Sequence, residues 1–243
     1  MKYYVQRKLT SKKQMKKITR ILPITPVMSQ QEAQKTEVHS TKQFLSKNEV
    51  SKLIKFAEKC SLPVYTTNVY DDVGVNGDPL HTTMYLQTDK LFESELNWLF
   101  TKIVRLAKLA NKQNDWGFDI ERGQFNVRVA EYHEMRPGGA LRDSHHYDIG
   151  SLITVDIMLQ EATIGAVFNT LEVSSDAQHE SLQTHQFHSG DALVFVSHKY
   201  HCVSPLIEGC RKVLVVEFWS GVSCKCGHRC DHPVLGECCF IDD

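Results

Sequence analysis

His146 and Asp148 stand two residues apart, His201 follows about fifty positions later, and all three lie beside short runs of alternating apolar residues. A chain that brings such distant side chains to one point must fold that region as neighbouring antiparallel strands. The surrounding pattern agrees. From Phe125 the apolar period changes from 3.6 to 2, with Phe125, Val127 and Val129 alternating with Asn126, Arg128 and Ala130. Pro137, Gly138 and Gly139 interrupt it. Ile153, Val155, Ile157 and Leu159 then face one way and Thr154 and Asp156 the other, which predicts a second strand starting just after Asp148. Shorter strands are expected at 165–173, 192–196 and 213–219.

Two helices precede these strands. Ser46 and Glu49 have capping-box spacing, and Val50, Leu53, Ile54 and Ala57 recur at helical intervals, predicting a helix over 47–60 that Pro63 ends. Leu96, Leu99, Phe100, Ile103, Ala107 and Ala110 give a second amphipathic helix over 92–111. Residues 32–44 are polar and aperiodic and read as a linker, and 66–79, rich in Asn, Asp and Gly, as a loop. Helices first and short strands after imply a mainly β, α+β domain: a sandwich or roll with helices on one side.

His146 and Asp148 at i and i+2 of an extended segment point to the same side, so both can meet one metal without distorting the backbone. His201 is expected from an antiparallel neighbour, carried by the strand 192–196 and its short extension. Two neutral imidazoles and one carboxylate occupy one face of an octahedral ion and leave the other open, a set that suits Fe(II) better than zinc. Arg211, ten residues past His201 on what reads as the next strand, is a fixed cation able to hold the carboxylate of a co-substrate. His145 would point to the opposite face from His146. His185, His188 and His198 read as surface histidines, and Tyr147 and Tyr200 as packing residues.

Of 243 residues, 42% are hydrophobic and 23% charged, with a net charge of -1, so no global field demands nucleic acid or a membrane. No apolar run approaches the roughly 18 residues of a transmembrane helix. Residues 1–31 are nonetheless one-sidedly basic, with Lys2, Arg7, Lys8, Lys12, Lys13, Lys16, Lys17 and Arg20 and no acid before Glu32. This arm reads as a disordered, solvated tail or as an organelle transit segment; with no apolar signal region, a cytoplasmic location is the default. At the other end Cys224, Cys226, Cys230, Cys238 and Cys239 crowd the last twenty residues. Together with His228 and His232 they admit a structural zinc, disulfides or free thiols, although the C-x2-C pairs of common zinc sites are missing. Cys60, Cys202 and Cys210 read as core thiols.

On these residues a resemblance can be stated. Residues 124–219 resemble the catalytic domain of the 2-oxoglutarate and Fe(II)-dependent oxygenases, most of all its prolyl and lysyl hydroxylase branch. The matching positions are His146-Tyr147-Asp148, Ser189-Gly190-Asp191-Ala192-Leu193-Val194-Phe195, His201, Val203, Pro205, Gly209 and Arg211, closing on Phe218-Trp219. Residues 82–86 and Trp116-Gly117-Phe118 are also similar, so the likeness spans about 45–225. It implies a double-stranded β-helix, or jelly roll, over 45–222 with a core at 124–219, flanked by the basic arm 1–44 and the cysteine-rich tail 223–243. It further implies Fe(II) held by His146, Asp148 and His201, with 2-oxoglutarate held by Arg211 and contacted by Tyr132. Tyr132 stands fourteen residues before His146, farther than is usual, and the family's Gly-Gly pair is Gly165-Ala166 here.

The reaction implied is hydroxylation of an unactivated C–H in a prolyl or lysyl side chain of a protein or peptide, using O2 and releasing succinate and CO2. L-ascorbate is the implied reductant. Halogenating relatives replace the carboxylate ligand by a small residue, so Asp148 favours hydroxylation. Two other readings stay open: a cupin-like metalloenzyme that does without 2-oxoglutarate, and a β-roll binding module without turnover.

Overall fold

The computed structural model describes residues 25–66, 79–173 and 180–230. In chain order the elements are α1 (Gln30–Ala33), β1 (His39–Thr41), α2 (Lys47–Lys59), β2 (Val64–Thr66), β3 (His81–Tyr85), α3 (Leu91–Glu95) and α4 (Asn97–Gln113). Then follow β4 (Asn126–Met135), β5 (Ile153–Gln160), β6 (Ile164–Gly165), β7 (Phe168–Val173), β8 (Glu180–His185), β9 (Ala192–Val196), β10 (His201–Val203), β11 (Leu206–Glu208) and β12 (Arg211–Trp219). The chain is mainly β, and its strands pair antiparallel in every ladder described.

A seven-stranded sheet runs β1-β9-β5-β12-β4-β3-β2, and a smaller one runs β10-β7-β8, with β11 and β6 forming a two-stranded ladder. The central strands β4, β5, β9 and β12 are buried on both faces because each face has a cover. On one side lies the helical layer. Leu53 and Ala57 of α2 and Leu99, Ile103 and Ala107 of α4 pack on Val155, Ile157, Val194 and Leu214. Each fully buried Leu or Ile contributes roughly 1.5–3 kcal/mol, so this layer is a major share of the fold's stability. On the other side Phe168, Phe187, Phe195, Val203 and Leu206 fill the space between the two sheets.

Helix α2 begins as its capping box requires: Ser46 accepts from the Glu49 amide and the Glu49 side chain accepts from the Ser46 amide. The expected helix over 92–111 is instead two, α3 and α4, broken where Leu96 adopts φ −111° and ψ 32° to bury its side chain. The stripe itself is correct from Leu99 to Ala110. Strand β4 runs five residues past Ala130, because its second half pairs with β3 on one edge and β12 on the other.

The linker reading of 32–44 is overturned. Residues His39–Thr41 pair with β9, Ala33 is fully buried, and the Gln34 side chain donates to the His198 carbonyl and accepts from the Tyr200 amide. These contacts are all long-range, which local polarity does not reveal. The basic arm up to residue 24 and most of the 66–79 loop lie outside the described residues. No helix among the described residues is long and apolar enough to cross a membrane.

Gly165 shows why the small residue pair is where it is. It has φ +85°, and a Cβ there would stand 2.3 Å from the Pro205 carbonyl. Ala166 follows in the same left-handed region, at φ 52°, where residues other than glycine are uncommon.

Candidate functional site

His146 and Asp148 do not lie on a strand. They occupy an irregular segment ahead of β5, tied down because the His201 amide donates to the His146 carbonyl and the Asp148 amide to the Ser197 carbonyl. The two side chains still converge, with Nε2 of His146 3.5 Å from Oδ1 of Asp148. His201 is the first residue of β10, not an extension of β9, and pairs with Thr170 in the smaller sheet. The third ligand candidate therefore comes from across the sandwich. One ligand atom from each residue lies within 4.8 Å of the others, and the His146 and His201 rings meet edge-on with centroids 5.0 Å apart.

His201 and Asp148 are each held in a state that suits a metal. His201 Nδ1 lies 3.0 Å from the Lys199 carbonyl, which assigns its proton to Nδ1 and leaves the Nε2 lone pair for the site. Phe168 and Phe195 pack against the same ring. Burial holds the imidazole below its ordinary pKa, despite the nearby Asp148 charge. Asp148 is 2% exposed, and its Oδ2 accepts from Thr154 Oγ1 at 2.7 Å. Burial opposes its ionisation, but His201, the hydrogen bond with His146 and the Arg229 charge together hold it well below the carboxylate range.

These residues open onto a cavity of about 300 Å³ between the sheets. Arg211 lines it, 4% exposed, and its Nε has no hydrogen-bond partner among the described residues. A buried guanidinium with an unpartnered donor fits an incoming carboxylate. Asp156 shares that end of the cavity; burial, eased only partly by Arg211, pushes it up to about 7. His146, Asp148 and His201 and the Arg211 cation thus face one enclosed space.

Tyr132 is not part of it. On β4 the residues Glu131, His133 and Met135 face the cavity, so strand parity turns Tyr132 toward the helical core, where Lys212 is its charged neighbour. His145 is half exposed and pairs with Glu180 at 3.6 Å, away from the ligand set. His198 and His185 are less superficial than expected: His198 accepts from the Gly150 amide, and His185 packs at a tilt against Phe168. Tyr147 and Tyr200 pack against each other, as expected. Cys202 is a buried thiol, whereas Cys60 and Cys210 are only half-buried.

Sequence reasoning missed a polar wall. His81 Nε2 lies 3.0 Å from His133 Nδ1, and His133 Nε2 lies 2.9 Å from Glu131 Oε2. Burial and the neighbouring His133 and Arg211 keep His81 neutral, with a pKa near 3. The alternation of Glu131 and His133 along β4 was the available signal. Arg229, from the cysteine-rich tail, was also missed. Its guanidinium lies 2.5 Å from Glu217 Oε1, 3.4 Å from Glu131 Oε2 and 3.6 Å from Asp148 Oδ1. Burial opposes ionisation of Glu131, but Arg229 and His133 bring it to about 2, while the more enclosed Glu217 is pushed up to about 8.

No family model matches the chain, and no curated protein matches it. Solved structures do. An oxidoreductase of the 2OG-Fe(II) oxygenase family from Burkholderia pseudomallei superposes with a TM-score of 0.55 at 14% identity, over 79% of this chain and 89% of that one. A prolyl-4-hydroxylase from Pseudomonas putida gives 0.54 at 13% identity, over 78% and 96%. A Trichoplax adhaerens prolyl hydroxylase, in complex with a hypoxia inducible factor oxygen degradation domain peptide fragment, gives 0.54 at 14%, over 79% and 87%. At this identity the likeness establishes the fold: the chain has the architecture of the 2OG-Fe(II) oxygenases.

Proposed function

We propose that this protein is a 2-oxoglutarate-dependent Fe(II) dioxygenase that hydroxylates an unactivated C–H, most consistently in a prolyl or lysyl residue of a protein or peptide, with L-ascorbate as supporting reductant. The observation that carries this reading is the convergence of His146, Asp148 and His201 on one side of a cavity that also contains buried Arg211. Two antiparallel sheets enclosing the site agree with a double-stranded β-helix. The peptide complex of one prolyl hydroxylase of this fold supports the substrate class.

His146, Asp148 and His201 would hold the iron, and Arg211 the far carboxylate of 2-oxoglutarate. When bound, iron and co-substrate supply activation of O2 and oxidation of the C–H bond, with release of succinate and CO2. The chain's own residues prepare the place. Lys199 fixes the His201 tautomer through its carbonyl, and Thr154 orients Asp148. Arg211 supplies a charge already desolvated and aimed, so the co-substrate's ordering is largely accomplished by the fold. Phe168, Val203 and Val213 give the cavity an apolar wall that keeps water from the reacting centre.

One observation favours a second reading. An ionised Asp156 would partly offset the Arg211 charge through space with no co-substrate, as a cupin-like metalloenzyme independent of 2-oxoglutarate would allow. A single experiment separates the two. Fe(II) and 2-oxoglutarate are added anaerobically, and the visible charge-transfer band of the chelate is recorded. The oxygenase reading expects a band that is absent in His201→Ala. In Arg211→Ala the band should need roughly tenfold or more 2-oxoglutarate, corresponding to loss of a charge-assisted bond of about 1.5–3 kcal/mol. A folded, metal-loaded wild type with no band refutes it. Succinate release during a peptide screen then identifies the substrate.

A further inference from the structure

We propose that Cys224, Cys226 and Cys230 form a thiolate metal site, of the zinc class, that clamps the C-terminal segment and thereby seats Arg229 in the catalytic cavity. The three Sγ atoms lie within 4.8 Å of one another. Bonds of about 2.3 Å to a tetrahedral zinc place sulfurs about 3.8 Å apart, a spacing compatible with this cluster, and the three sulfurs would fill three of its four positions. A disulfide uses two sulfurs; here three converge. Soft thiolates select zinc over the hard ions that a carboxylate-rich site would take.

The segment needs such a clamp. From Val222 to Cys230 it has only bends and no helix or strand, yet Cys224 and Cys230 are fully buried against Trp219. Backbone groups anchor it at several points: the Cys224 amide donates to the Val127 carbonyl, Gln87 Nε2 donates to the Cys224 carbonyl, and the Asp89 amide donates to the Lys225 carbonyl. At its end Arg128 Nε donates to the Cys230 carbonyl at 2.6 Å. Buried chain without secondary structure is where a structural metal contributes most. Arg229 sits directly before the last of the three cysteines, so fixing Cys230 fixes the arginine that reaches Glu217, Glu131 and Asp148.

This site does not depend on the oxygenase reading, and its test reads metal rather than turnover. Full-length protein is purified under reducing conditions, and its zinc is counted and examined by X-ray absorption. Expected are about one zinc per chain and sulfur scatterers near 2.3 Å. Cys226→Ser, at the half-buried position, should lose most of the zinc, whereas His201→Ala should keep it while losing the iron chelate. Protein that is zinc-free even after zinc addition, a disulfide among the three cysteines, or zinc bound only through nitrogen and oxygen would overturn the site.

The clamp is tested by Mn(II) titration of the His146, Asp148 and His201 set. Extracting zinc with a mercurial should release Arg229 from beside Asp148 and tighten Mn(II) several-fold, since a competing cation leaves. Arg229→Ala should tighten Mn(II) by the same factor and make it insensitive to zinc extraction. Unchanged Mn(II) affinity on zinc extraction from the wild type would refute the seating of Arg229 by the metal.

Discussion

Thr154 Oγ1 donates to Oδ2 of Asp148 at 2.7 Å, so one oxygen of the carboxylate is committed to the fold while the other faces His146. The contact sets the plane of the carboxylate and turns Oδ1 toward the space it shares with His146 and His201. Thr154→Val keeps the shape and removes the donor. It should weaken Mn(II) or Fe(II) binding by about 10–100-fold, as loss of a ligand's supporting hydrogen bond does. An unsatisfied buried oxygen also costs about 1–3 kcal/mol of stability. Metal titration beside urea unfolding checks both; unchanged metal affinity would show that Asp148 is oriented by its backbone alone.

Asp156 makes co-substrate binding depend on pH. Burial pushes its carboxyl up to about 7, against the pull of Arg211. Below that pH Asp156 is neutral and Arg211 is available to a carboxylate; above it, ionised Asp156 competes for the same guanidinium. Affinity for 2-oxoglutarate on the Mn(II)-loaded protein should therefore fall by up to about tenfold per pH unit above the midpoint. Asp156→Asn should flatten this profile. The stability sign runs the same way: the fold keeps a proton that the unfolded chain releases. The contribution is full below the ordinary aspartate range and is lost as pH rises toward 7. Tighter binding at pH 8 than at pH 6 would contradict the assignment.

The helix start at Ser46 is a simpler case. Ser46 Oγ accepts from the Glu49 amide at 3.3 Å, and Glu49 in turn accepts from the Ser46 amide at 2.8 Å and pairs with Lys102 of α4 at 2.8 Å. Ser46→Ala should cost about 1 kcal/mol in chemical unfolding, and Ser46→Thr should recover most of it. A neutral alanine would mean that tertiary packing of α2 alone sets its first turn.

That capping box was legible in the sequence because it is local, as were β5, through its alternation, and β9, a short unbroken apolar run. The convergence of His146, Asp148 and His201 was anticipated from their residue types and spacing, and His146 and Asp148 at i and i+2 meet here although their segment is not a strand. What escaped shares one property. The pairing of His39–Thr41 with β9, the arrival of His201 from the other sheet and the orientation of Tyr132 all depend on long-range register. A shift of one residue turns Tyr132 from the cavity to the core, and no local pattern distinguishes the two. Arg229 was hidden more deeply, since a charged residue in a cysteine-rich tail gives no sign that it ends among Glu131, Asp148 and Glu217.

Arg229 also offers a test of how those acids are tolerated. Glu217 is fully buried, accepts from Ser151 Oγ at 2.6 Å and has Arg128 3.5 Å away, yet burial still pushes it up to about 8. Arg229 is the cation shared by Glu217, Glu131 and Asp148, and its side chain remains 30% exposed. Removing one partner of a fully buried pair costs about 3–5 kcal/mol, and the exposure of Arg229 brings the expected loss for Arg229→Ala to about 2 kcal/mol. Neutralising the acid should then help rather than harm. In the double variant Arg229→Ala, Glu217→Gln, stability should return by about 1 kcal/mol relative to Arg229→Ala, a larger gain than Glu217→Gln gives in the wild type. Urea unfolding of the four proteins closes the cycle, and strictly additive losses would show that Arg229 and Glu217 do not act as a pair.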